Sequence, residues 1–88
     1  MPKRTDANQA YIIEGLRDIG ATVQDLHEVG RGCPDILVGF RGRNYLLEIK
    51  IEGAGLNERE YKWHRLWGGQ VAIVRTLEQA VDIITAEE

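Results

Sequence analysis

Gly32-Cys33-Pro34-Asp35 and, thirteen residues beyond that aspartate, Glu48-Ile49-Lys50 are the stretches whose reading decides the fold. Between them lie two apolar runs, Ile36 to Phe40 and Tyr45 to Ile51, which read as one β-hairpin around Arg41-Gly42. A turn centred there pairs residues whose numbers sum to 83, so Asp35 stands directly across from Glu48. Opposed residues on antiparallel strands share a face, with Cβ atoms roughly 4.5–5.5 Å apart. A longer loop that slides the register by two keeps both acids on that face. Lys50 follows Glu48 by two and joins them, about 6.6 Å further along the strand. Two carboxylates that close repel unless positive charge lies between them, and a divalent cation with oxygen ligands meets that need.

Outward from the hairpin, both strands are apolar on both faces, which predicts central strands covered on both sides. Thr22 to Val29 is half polar and reads as an edge strand. Three helix starts carry a capping residue three positions before Glu or Gln: Asp6 with Gln9, Asn57 with Glu60, and Thr76 with Gln79. The first helix is expected from about Ala7 to Ile19, with Ile12, Ile13, Leu16 and Ile19 as its apolar stripe and Gly20 as its stop. A second runs from about Glu58 to Trp67 with Trp63, Leu66 and Trp67 inward, ended by Gly68-Gly69. Val71 to Val74 is a short buried strand, and a helix from Leu77 to about Ala86 follows. The order is α-β-β-β-α-β-α, and the strand–helix–strand segment from Tyr45 to Val74 implies a parallel, right-handed crossover. The fold class is therefore α/β, a small mixed β-sheet flanked by helices, as one domain over residues 1–88.

The bulk numbers set limits. At 88 residues, folding buries little more than about 60% of the unfolded chain's surface, so stability is marginal and self-association would help. With 43% hydrophobic residues and no long apolar run, neither a transmembrane helix nor a signal peptide is expected. A single cysteine excludes an internal disulfide and fits a reducing cytosol. The net charge of −3 does not advertise a polyanion binder. Yet between Arg41 and Arg65 six cations face four acids, so this surface turns locally positive if Glu48 holds metal.

The string [Asp/Glu]-x-Lys by itself is weak, since roughly one window in ten of this length contains it by chance. The weight lies in the register that makes the acids converge. With those motifs the chain resembles a stand-alone VRR-NUC domain, a small viral and phage branch of the PD-(D/E)XK nuclease superfamily with a restriction-endonuclease-like core. The likeness spans nearly the whole chain: a leading helix, Gly-x-Pro-Asp, Glu-x-Lys, the next helix start, and a closing strand and helix.

The resemblance implies that Asp35 and Glu48 bind Mg²⁺ or Mn²⁺, joined by the Ile49 backbone carbonyl, and that Lys50 orients or activates the attacking water. It further implies a homodimer cutting branched DNA, Holliday junctions in particular, by paired nicks. If phage-encoded, such a protein would work in the cytoplasm of a bacterial host. Two departures stand out. Relatives carry a glutamate on the first helix, but Glu14 points about 140° away from Gln9 and opposite the apolar stripe. Gln9 is therefore the favoured contact to metal-bound water or phosphate, with a capping role beside Asp6 equally open. Glu60 stands where relatives tend to have glutamine and faces inward near its helix start; a cap with Asn57 is its other reading.

Gly30-Arg31-Gly32 resembles a phosphate-contacting loop, which makes Arg31 a DNA-binding candidate, and Lys3 and Arg4 would add non-specific phosphate contacts. His64 reads as surface, Cys33 as a small residue before Pro34, and Trp63 and Trp67 as core. No Cys or His pair has zinc-ligand spacing. The alternative function is a non-catalytic nucleic-acid or replication-complex module that kept the fold, for which a missing acid or lysine would be the mark. A nuclease dependent on a partner helicase is a third reading.

Overall fold

The computed structural model describes residues 4–86. Helix α1 (Arg4–Asp18) leads into strand β1 (Thr22–Asp25), a 3₁₀ turn at His27–Val29, β2 (Ile36–Phe40), β3 (Arg43–Ile49), α2 (Glu58–Leu66), β4 (Ala72–Val74) and α3 (Leu77–Thr85). The four strands lie in chain order, antiparallel except for the parallel β3–β4 pair. This is the expected order, with the edge segment shortened where the chain coils into the 3₁₀ turn.

The hairpin register is the one its turn dictates. Ile36 pairs Leu47 and Phe40 pairs Arg43, every pair summing to 83. Arg41 (φ 52°) and Gly42 (φ 80°) both take positive φ, as a two-residue turn matched to strand twist requires. Glycine tolerates this freely, whereas arginine there costs on the order of 1 kcal/mol. The Arg41 guanidinium lies 4.9 Å over the Phe40 ring.

Alternation along the strands sorts residues between two faces. Ile36, Val38, Leu47, Ile49 and Val74 point toward α1 and α3, where Ile12, Leu16, Ala80 and Ile84 complete the core. α1 begins at Arg4 rather than Ala7, and the side chain of Asp6, the expected cap partner of Gln9, lies outside the described residues. Lys3 and the side chain of Arg4 lie outside the described residues. α1 ends through paired bonds, Ala21 N–H to the Leu16 carbonyl and Gly20 N–H to Arg17, both 3.0 Å, with Gly20 at φ 96°. This is the glycine-stopped helix end. Ile19 therefore sits past the last turn and is 45% exposed instead of extending the apolar stripe.

The opposite face carries Asp35, Leu37, Leu46, Glu48, Lys50 and Ile73, with α2 laid beside part of it. β4's loops are tied by side chains: Gln70 bonds both the N–H and the carbonyl of Leu46, and Arg75 donates to the Ile51 and Ala54 carbonyls. Thr76 caps α3 through Gln79 N–H, but the Gln79 side chain bonds Arg75 N–H rather than closing a reciprocal box. Among the described residues no helix is long and apolar enough to cross a membrane.

Candidate active site

Pro34 is fully buried and, with its fixed φ, delivers Asp35 to the head of β2 in one orientation. The Asp35 backbone carbonyl accepts from Leu26 N–H at 2.9 Å, and its carboxylate Oδ2 accepts from Ile49 N–H at 2.7 Å. The side chain thus reaches across to β3 and replaces a missing rung of the ladder. Lys50 N–H bonds the Val74 carbonyl, so the backbone at Lys50 serves β4. In an extended strand a residue's N–H and carbonyl point the same way, so the Ile49 carbonyl faces the Asp35 side.

Glu48 is 2% exposed and is the one buried charged residue among those described. Its Oε2 lies 3.8 Å from Lys50 Nζ, and its buried Oε1 has no hydrogen-bond partner. Burial, then the hydrogen bond to Asp35, then the negative charges of Asp35 and Glu60 push its pKa up to about 9, against a smaller pull from Lys50. With these groups alone, Glu48 keeps its proton at neutral pH. Near-contact carboxylates behave this way when no cation lies between them.

Lys50 Nζ donates to Glu60 Oε1 at 2.7 Å. The same oxygen accepts from Asn57 N–H at 2.9 Å, while Asn57 Oδ1 accepts from Glu60 N–H at 2.9 Å. Glu60 is therefore both half of a helix cap and the anchor of the site lysine; the two readings of this residue coexist. Burial raises its pKa, but the Lys50 and Asn57 hydrogen bonds outweigh it and the net shift is downward.

His64, expected on the surface, stands one helical turn after Glu60 with Nε2 3.6 Å from Glu48 Oε1. Burial holds it neutral, so no ion pair forms, and 3.6 Å is too long for a hydrogen bond. Spacing held the signal: Glu60 and His64 are four apart and share a helix face. Cys33 also lies closer to the acids than its sequence context suggests. Burial, then Glu48 and Asp35, raise its thiol pKa, which makes a nucleophilic thiolate at neutral pH unfavourable.

Helix α2 differs most from expectation. Nothing on it is buried; Leu66 is 67% and the C-cap Trp67 46% exposed. The helix rolls so that its polar Glu60–His64 stripe meets the sheet, because Lys50 and Glu48 supply the partners there. Arg31, in a left-handed conformation (φ 58°), is exposed on the loop before Asp35. A Cβ at Gly32 would lie 2.7 Å from the Arg59 carbonyl carbon and 3.1 Å from Glu60 N, so the absence of a side chain lets this loop touch α2. Gln9 is half-buried and is bonded to none of the site residues among those described. Its neighbour Asn8 donates to the Arg75 carbonyl, which places this turn of α1 beside the end of β4. Glu14 is exposed.

No three His, Cys, Asp or Glu side chains cluster as a complete ligand set among the described residues. A cation here would take two carboxylates and fill its shell with a main-chain carbonyl and water. The unbonded Glu48 oxygen, the paired acids and the all-oxygen donor set fit Mg²⁺ or Mn²⁺.

Neither a protein-family model nor a curated protein matches the sequence. A solved structure described as a VRR_NUC domain is similar, with a TM-score of 0.78 and 25% identity over 99% of this chain and 100% of that one. The chain thus has the fold of a VRR_NUC domain, a nuclease fold of the PD-(D/E)XK type.

Proposed function

We propose that this domain hydrolyses DNA phosphodiester bonds with the help of Mg²⁺ or Mn²⁺. The observation that carries the reading is the meeting of Asp35, Glu48 and Lys50 on one sheet face, with an oxygen of Glu48 left unbonded. Asp35, Glu48 and the Ile49 carbonyl would hold the ion, which when bound lowers the pKa of water and neutralises charge on the phosphate. Asp35 is fixed by Ile49 N–H and Glu48 by burial, so neither carboxylate reorganises far to serve. Glu60 aims the Lys50 ammonium into the same space, where it orients the attacking water and offsets charge as the phosphorus becomes five-coordinate. Arg31 meets the DNA backbone from the loop above. Gln9, half-buried on α1, would contact metal-bound water or phosphate.

The substrate reading extends to branched DNA, Holliday junctions in particular, cut by a homodimer. A domain of this size gains stability by pairing, and two symmetric sites suit a two-fold symmetric junction. All three residues whose loss would mark a non-catalytic binding module are present.

Plasmid and four-way-junction DNA incubated with Mn²⁺ give the test. Wild type cleaves, and Lys50→Ala loses about 10²–10⁴-fold in rate with its fold intact. Mn²⁺ raises the melting temperature of wild type but not of Asp35→Asn. Wild-type protein that leaves every branched, flapped and single-stranded DNA uncut returns the domain to the binding-module reading.

A further inference from the structure

The stripe of α2 beside the acid site has no part in holding Asp35, Glu48 or Lys50. Arg59, Trp63 and Trp67 follow at intervals of four, one step around the helix from Glu60 and His64. With Arg31, Lys62 and Leu66 they line a cleft of about 550 Å³. Trp63 and Trp67 stack with centroids 4.5 Å apart and planes 17° from parallel. Trp63 is half-buried, whereas Trp67 remains 46% and Leu66 67% exposed.

The charges around these rings are one-sided. No acid lines the cleft, and among the described residues Arg31, Arg59 and Lys62 form no ion pair. A purely apolar partner would have to bury three unpaired cations, which is costly. An aromatic platform edged with unpaired cations instead matches a stacked base and its flanking phosphates. The cleft is also physically continuous with the acid site. Arg31 belongs to the loop that carries Asp35, Gly32 seats that loop on the Arg59–Glu60 backbone, and Trp63 lies against His64 with ring centroids 6.2 Å apart.

We propose that this cleft binds an unpaired nucleotide by stacking its base on Trp67, the exposed member of the Trp67–Trp63 stack, with Arg31, Arg59 and Lys62 on the neighbouring phosphates. The protein then recognises the boundary between duplex and single strand, and presents the phosphate next to the splayed base to the acids. The last step rests on the nuclease reading; the binding does not.

Fluorescence anisotropy in EDTA, with labelled flapped DNA and a blunt duplex of the same sequence, tests it without requiring cleavage. Wild type binds the flap at least about tenfold tighter than the duplex. Trp67→Ala weakens flap binding by about 5- to 100-fold, the range seen when a stacking side chain is removed, and Trp67→Phe retains most of it. Circular dichroism on both variants confirms folding. Unchanged flap affinity in Trp67→Ala, equal affinity for flap and duplex, or no DNA binding at all overturns the proposal. So does a Trp67→Ala effect confined to self-association, which would assign the cleft to a second copy of the chain. If wild type cleaves duplex in Mn²⁺ while Trp67→Ala binds normally, this inference fails and the nuclease reading stands. If flap binding is as described but nothing is cut, the reverse holds.

Discussion

On the face of the sheet that carries α1 and α3, Ile12, Leu16, Ile36, Val38, Leu47 and Val74 are wholly inaccessible to solvent. On the opposite face Ile73 is 39% exposed, and Glu48 is buried with an oxygen that nothing bonds. The strands are shared, so the contrast arises residue by residue from alternation: Leu47 fills the core while Glu48, its neighbour, faces Asp35 and Lys50. One face supplies the stability that the other draws on, as expected where a site holds like charges together.

The sharpest way to break this comparison is to truncate adjacent leucines of β3. Leu47→Ala removes a side chain with no exposure and should cost about 2–5 kcal/mol, a large part of the roughly 4–13 kcal/mol expected for 88 residues. Leu46→Ala, on the half-buried face, should cost about 1 kcal/mol. Urea melts of both variants measure the difference. Equal losses would mean that the two faces are packed alike.

Next comes the pH dependence that Glu48 imposes. The folded carboxyl keeps its proton to about pH 9, whereas the unfolded one releases it near 4.5. Between those values the folded state binds more protons, so stability falls as pH rises through the window, by up to about 1.4 kcal/mol per unit. Glu48→Gln keeps the shape and removes the titration. From pH 6 to pH 8 without divalent ions, wild type should lose roughly 1–3 kcal/mol relative to this variant. Chemical denaturation at the two pH values measures it. A rise of wild-type stability relative to Glu48→Gln over that interval would contradict a Glu48 that keeps its proton in the folded state.

How far the sequence announces each face follows from the kind of physics involved. The hairpin register is local: two left-handed residues at Arg41 and Gly42 set it, and with it the meeting of Asp35 and Glu48. The Gly20 helix stop and the Asn57–Glu60 cap are local as well, and both stand where the spacing put them. The orientation of α2 is not local. Counting apolar residues turns Trp63, Leu66 and Trp67 inward, but the partners waiting on the sheet are a lysine and a glutamate. The helix therefore presents Glu60 and His64 to the sheet, leaving Leu66 and Trp67 exposed and Trp63 half-buried. The Trp67 cleft becomes visible only once that roll is known, whereas the four-residue spacing of Glu60 and His64 already sets them on one helix face.

A smaller effect probes the seam between cap and site. Asn57→Ala removes the acceptor for Glu60 N–H and should cost about 1 kcal/mol. Because Glu60 Oε1 also holds Lys50, the lost cap should loosen the lysine and lower any cleavage rate several-fold at unchanged folding yield. A stability loss with full activity would separate the cap from the lysine's placement.

The smallest expected effect tests the roll of α2 itself. If Leu66 pointed into a core, as helical periodicity suggests, Leu66→Ala would cost at least about 2 kcal/mol. At 67% exposure it has little burial to lose, and the change should stay within about 0.5 kcal/mol of wild type. Alanine is also the better helix former, which offsets part of the lost contact. A near-silent urea midpoint therefore supports an α2 held by Asn57, Glu60 and Lys50 rather than by its apolar side chains. A loss as large as that of Leu47→Ala would place Leu66 in a packed interface, and the open face of α2 would have to be closed by something in solution.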